Sequence, residues 1–164
     1  MSKFLFGLLM IPFICMADCS SELSFCYHTK LGVLEQITHT NSGDDYSYLT
    51  LNGVKIYKAK TDYMSNIYDD TGFFEDKKYI VTKTVITFIS NVPCTHKEYY
   101  GYCSFSVVLD FSGNELVISN EFTPDSGNSV IDWVSWGKAN AIIAFEDGTK
   151  FKYMNGRVES VSSN

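Results

Sequence analysis

Side-chain catalysis needs a nucleophile with a base, a pair of carboxylates or a metal, and this sequence holds few residues that could supply them. The histidines are His28, His39 and His96. None stands in a His-Glu-x-x-His helix motif, and no Gly-x-Ser-x-Gly elbow presents a serine. Adjacent acids occur at Asp44-Asp45, Asp69-Asp70, Glu75-Asp76 and Glu146-Asp147. Two carboxylates can share acid and base work on a glycosidic bond when held about 5 to 9 Å apart, but neighbours in a loop do not define that spacing. These pairs read as solvated loop charge. The stretch Asp69-Asp70-Thr71-Gly72 lacks the alternating oxygen ligands and closing glutamate of an EF-hand. Zinc-type cysteine and histidine spacings are missing too, so no metal and no cofactor is expected. The expectation is a protein that is not an enzyme.

The means to bind another protein are better represented. Tyrosine is mixed with acid at Asp44-Asp45-Tyr46-Ser47-Tyr48, at Tyr68-Asp69-Asp70 and at Glu98-Tyr99-Tyr100-Gly101-Tyr102. Tyrosine offers a large contact area with little rotamer entropy to lose, and acid around it attracts a cationic partner. Strands favour tyrosine as well, so the pattern serves a β core equally. Lys plus Arg number 13 against 19 acids, for a formal charge of -6, and Arg157 is the sole arginine. A nucleic-acid partner is excluded on that balance, because phosphate binding needs a basic face.

The elements that would position these residues start with a leader. Lys3, the apolar run Phe4 to Ile14 and the small residue Ala17 read as a secretory signal over residues 1 to 17, cut after Ala17. The run is broken by Pro12 and is shorter than the ~20 residues of a spanning helix, so no membrane association is expected after cleavage. Losing Lys3 takes the charge from -6 to -7. The cut also removes Cys15 and leaves Cys19, Cys26, Cys94 and Cys103, an even set suited to an oxidising compartment, periplasmic or secreted. Of the three possible connectivities, closeness in sequence favours Cys94 with Cys103 and Cys19 with Cys26.

Residues 18 to 164 read as a single all-β domain, an antiparallel meander closing as a sandwich, a barrel or a small propeller and stapled by disulfides. Tyr46 to Ala59 is a hairpin about Asn52-Gly53, a dipeptide that accepts the positive φ angles of a type I′ turn. Tyr79 to Ser90 is a long strand that Pro93 should end. Strands follow at 104–111, 115–122, 130–136, 141–145 and 150–154, and Asn155-Gly156 turns the chain into 157–161. Phe105, Val107, Leu109 and Phe111 alternate with Ser106, Val108 and Asp110, which predicts one face on a core and one facing outward. The acid-rich stretch Thr61 to Lys78 is the least β-like and is expected to be a surface excursion with a helical turn. Trp133 and Trp136, three apart, should point to opposite faces of a strand.

An exported, acidic, small β chain whose mature form starts Asp18-Cys19, with a candidate ring from Cys94 to Cys103 and no catalytic set, resembles the periplasmic immunity proteins that protect bacteria from secreted cell-wall enzymes, including those of type VI secretion systems. The stretch Asp147-Gly148-Thr149-Lys150-Phe151-Lys152-Tyr153 is similar to the inhibitory loop of periplasmic lysozyme inhibitors, without its serine. Both resemblances imply binding and neutralising a cationic cell-wall-degrading enzyme. Tyr99, Tyr100 and Tyr102 are then the candidate contacts, and Asp69 and Asp70 the steering charge. The competing expectation is an exported carbohydrate-active hydrolase or sugar-binding protein that uses the tryptophans and carboxylate pairs.

Overall fold

The computed structural model describes residues 26–61, 64–73, 79–93 and 102–161. Within them the chain is built almost wholly of strands, in three successive meanders. The first is β1 (Cys26–Thr29), β2 (Gly32–Ile37), β3 (Ser47–Leu51) and β4 (Val54–Ala59), with one short helix, α1 (His39–Ser42), between β2 and β3. The second is β5 (Met64–Phe73), β6 (Tyr79–Pro93), β7 (Tyr102–Asp110) and β8 (Val117–Ile118). The third is β9 (Ile131–Trp136), β10 (Asn140–Phe145), β11 (Lys150–Met154) and β12 (Arg157–Ser160). The first two share a sheet ordered β4-β3-β2-β1-β6-β7-β8, with β5 on the other side of β6, while the third forms its own sheet in sequential order.

Local chemistry sets the tight turns. Asn52 and Gly53 take φ of 52° and 76°, and Asn155 and Gly156 take 50° and 84°, the paired positive angles of a type I′ hairpin. Asn52 also locks the neighbouring hairpin. Its Oδ1 accepts the Val33 N–H at 2.9 Å, and its Nδ2 donates to the Leu31 carbonyl at 2.9 Å. Gly32, at φ +132°, is the residue this arrangement demands, because a Cβ there would lie 2.0 Å from Asn52 Oδ1.

The β6–β7 ladder is the centre of the molecule and is buried on both faces. On one face Ile86, Phe88, Val107 and Leu109 meet Leu34 of β2, Leu49 of β3, Met64 of β5 and Phe111, so the large sheet curls over its own core. On the other, Val85 and Val108 meet Ile131, Ile143, Phe145, Phe151, Tyr153 and Val158 of the second sheet, together with Phe122. Phe122, Phe145 and Phe151 form an aromatic knot there, with ring centroids 5.0 to 6.3 Å apart.

Several expectations are corrected by this architecture. The alternation in 105–111 does not face one side outward: Ser106 and Val108 are as buried as Val107, because the second sheet covers them. Of the stretch Thr61 to Lys78, residues 64–73 are not an excursion from the sheet but pair with β6 over their length as β5; 62–63 and 74–78 lie outside the described residues. Pairing is not purely antiparallel, because β1 runs parallel to β6 at Thr29↔Val81. Pro93 is the last residue of β6, as expected, but the strand runs past Ser90 to reach it, and Pro93 opposes Tyr102 after an irregularity. Expected strand 115–122 shrinks to Val117–Ile118 and an isolated bridge from Ser106 to Phe122.

Cys26 and Cys103 are the described cysteines, and the β6 ladder keeps them at opposite ends of the sheet, since Cys26 precedes the Thr29↔Val81 pair while Cys103 lies between the Ile89↔Ser104 and Pro93↔Tyr102 pairs. No disulfide therefore joins two described residues, and the expected pairs each need Cys19 or Cys94, which lie outside them. The leader at 1–17 lies outside them as well. No helix among the described residues is long and apolar enough to cross a membrane.

Candidate functional site

The site is built at the end of the β6–β7 ladder remote from β1. There Ile89 is 59% exposed and Tyr102 56% exposed, on strands whose middles are fully buried. The loop after β8 closes over the edge of β7 by irregular pairing. Ser106 and Phe122 exchange backbone bonds at 2.9 and 3.0 Å, and Ser104 N–H donates to Gly127 O at 2.9 Å. Gly127 takes φ +86° and donates back to Pro124 O at 2.9 Å, which folds 124–127 into a tight turn. The Ser104 hydroxyl beneath it is buried with no hydrogen-bond partner among the described residues.

That loop is clasped to the β10–β11 turn. Asp147 Oδ2 accepts the Ser126 N–H at 3.1 Å, and its Oδ1 accepts the Thr149 N–H at 2.9 Å. Asp147 N–H donates to Ser129 Oγ at 3.0 Å, and Asp125 N–H donates to Thr149 Oγ1 at 3.1 Å. Partial burial pushes the Asp147 carboxyl upward, but hydrogen bonds from the Ser126 side chain and the Thr149 and Ser126 backbone outweigh it, so the group sits below its ordinary value. A groove of about 490 Å³ runs along the turn, lined by Asp125, Asp147, Gly148, Thr149, Lys150, Ser160 and Val161. Asp125, Glu146 and Val130 stand exposed around it. Loop, turn and ladder tip thus form one acidic, partly apolar end, held by backbone bonds and by the short side chains of Asp147, Ser129 and Thr149 bonded to backbone N–H groups.

The structure brings together some of the sequence candidates and separates others. Tyr102 and the 147–153 stretch, which the sequence offered for unrelated reasons, meet at this end through Ser104, Gly127, Ser126 and Asp147. Tyr99, Tyr100 and Cys94 lie outside the described residues. Asp69 and Asp70 are not in a loop: they sit in β5 opposite Thr84 and Lys83, well down β6 from the Pro93↔Tyr102 pair. Acids next to the tip are Asp125, Glu146 and Asp147 instead. Asp125 and Ile89 carried no sequence signal beyond the turn composition of 123–128, because their neighbourhood depends on which strands stack.

The other tyrosine and acid cluster is internally satisfied. Tyr48 OH donates to Asp44 Oδ2 at 2.7 Å, which raises the phenol and lowers the carboxyl from their ordinary values. Lys55 Nζ lies 3.5 Å from the Tyr48 ring centroid, and Lys58 Nζ lies 5.0 Å from that of Tyr46. These rings already have cations of their own. His28 lies in β1 and His39 starts α1, whereas His96 and Glu75-Asp76 lie outside the described residues. Among the described residues no three His, Cys, Asp or Glu gather as a metal site. Trp133 is 40% exposed while Trp136 packs against the second core, on opposite faces of β9 as their spacing requires.

No family model matches the chain, and the comparisons with curated proteins and with solved structures find no match either.

Proposed function

We propose that this protein is an exported binder that neutralises a cationic cell-wall-degrading enzyme, as periplasmic immunity and inhibitor proteins do, and that it acts through the end formed by Tyr102, Ile89, the 123–130 loop and the Glu146–Thr149 turn. The observation that carries the reading is the convergence at one end of an exposed tyrosine, an exposed isoleucine and an acidic turn pre-ordered by its own hydrogen bonds. A pre-ordered turn loses little conformational entropy when it enters a cleft. Its acids complement an enzyme that is cationic because its substrate is anionic. Export rests on the leader at 1–17. A ring from Cys94 to Cys103, with Cys19 bonded to Cys26, would hold 95–102 beside the same end, and a non-reducing peptide map reads that pairing.

The test is capture and inhibition. Protein purified from the exported fraction should bind one cationic wall hydrolase in a stoichiometric complex and abolish its activity, with Tyr102→Ala releasing it. Turnover of peptidoglycan or a glycoside by the purified protein alone, above a heat-inactivated control, would overturn the reading in favour of a hydrolase.

A further inference from the structure

We propose that the outer face of the second sheet is a docking platform for an anionic saccharide chain. The platform adjoins the acidic end, with Lys150 and Val161 at the border between the two, and needs no protein partner.

The register lays out the face. Trp133 of β9 opposes Ala144, which opposes Lys150, and Lys150 is bonded through its carbonyl to the Val161 N–H at 2.8 Å. One step along, Ser135, Ile142, Lys152 and Glu159 form the next row, and Asn140, Met154 and Arg157 the third. The alternate residues Val134, Ile143, Phe151, Tyr153 and Val158 pack into the core, so these rows point away from it. Trp133, Met154 and Val161 are 40%, 50% and 42% exposed. Lys150, Lys152, Arg157 and Glu159 are exposed too.

The charge of this face runs against the rest of the molecule. The chain carries -6 overall, yet the three rows hold Lys150, Lys152 and the sole arginine against one acid, Glu159. Arg157 Nε meets Glu159 at 3.0 Å with both side chains open to water, a pair that contributes little and that a competing carboxylate can exchange. Lys150 Nζ lies 6.0 Å from the Trp133 ring centroid, so cation and aromatic plane are presented together. A sheet four strands wide spans roughly 14 Å, enough for a run of sugar rings. A saccharide suits this combination: its C–H face stacks on an indole, and its acid groups meet lysines two residues apart on one strand. The acids Glu146 and Asp147 bound the platform at its Lys150 end and direct an anion toward Lys152 and Arg157.

The full mature protein is titrated with a short hyaluronan oligosaccharide, which bears a carboxylate on every second sugar, and followed by calorimetry and by backbone NMR shifts. The result expected is saturable binding with shifts confined to β9–β12 residues of this face. It should be lost in Lys150→Glu/Lys152→Glu, weakened severalfold in Trp133→Ala, and absent for neutral chito-oligosaccharide. It should persist in Tyr102→Ala, which separates it from the enzyme-binding reading. No saturable binding by wild type, shifts at the acidic end instead, or binding indifferent to Trp133→Ala and matched by anionic phospholipid vesicles would overturn it. Wild-type shift mapping decides the matter even where a variant folds poorly.

Discussion

Lys83 of β6 and Asp110 of β7 are cross-strand partners, and each fastens the central ladder to a different element of the second sheet. Lys83, only 2% exposed, donates from Nζ to Gly137 O at 2.7 Å and Lys138 O at 3.0 Å, in the turn between β9 and β10. Asp110 accepts the Tyr153 hydroxyl at 2.9 Å from β11, and also the Ser112 N–H at 2.9 Å. A buried ammonium persists only with such partners. Two sheets held together by apolar contacts alone could slide, and this hydrogen-bonded clasp at the far end from Tyr102 fixes their alignment.

Replacing Lys83 with Met should therefore destabilise the fold by about 2 to 4 kcal/mol, although volume and apolar burial are kept, because two carbonyls lose a buried donor. The midpoint of urea unfolding is the measurement. An unchanged midpoint would show that the aromatic core alone aligns the sheets.

Alkaline pH should loosen the protein through two tyrosines. Burial, then hydrogen bonding to Glu121, raises Tyr57 well above the ordinary phenol value, and burial, then the bond to Asp110, does the same for Tyr153. Both are kept protonated in the fold while the unfolded chain ionises near pH ~10. Their contribution is full below that value and declines as pH rises above it. Urea midpoints measured on either side of pH ~10 should fall, and Tyr57→Phe/Tyr153→Phe should fall less steeply than wild type.

At the acidic end, Asp147→Ala removes the acceptor that holds Ser126 and Thr149. Global stability should change by about 1 kcal/mol or less, but amide exchange of Ser126 and Thr149 should accelerate and capture of the partner enzyme should weaken. The Asp147 carboxyl lies below its ordinary value, so its contribution is present above pH ~4 and lost as pH falls further. Exchange rates that match wild type would mean the turn is ordered by its backbone bonds alone.

Tyr102→Ala should leave the unfolding midpoint unchanged, since the ring is more than half exposed, yet speed dissociation from the partner enzyme and weaken the complex by about 2 kcal/mol. Asp125→Asn and Glu146→Gln should instead slow association and flatten its salt dependence. Stopped-flow and surface-binding kinetics separate the two effects. Identical behaviour of all three variants would place the contact elsewhere on the molecule.

How much of this was legible beforehand follows from where each constraint lies. Asn52-Gly53 and Asn155-Gly156 declare their hairpins because the positive φ is a property of two adjacent residues, and 150–154 reads as a strand from its own alternation. β5 was misread because Asp69, Asp70 and Gly72 have poor strand propensity of their own. The pairing of 64–73 with β6 overrides that propensity, and a backbone ladder is invisible in a one-dimensional pattern. The same limit hid β1 and β2, whose short apolar stretches gain meaning only against β6 and β3.

What the sequence by itself determined is the composition of the chain in strands and turns, its acidity and the opposite facing of Trp133 and Trp136. These follow from local geometry and from counting charges. Only the tertiary structure decided that β7 is buried on both faces, that Tyr102 shares an end with Asp147 rather than with Asp69 and Asp70, and that Lys150, Lys152 and Arg157 share a face with Trp133. Each is a relation between residues far apart in the chain, set by which sheet stacks on which ladder. No local pattern specifies that stacking.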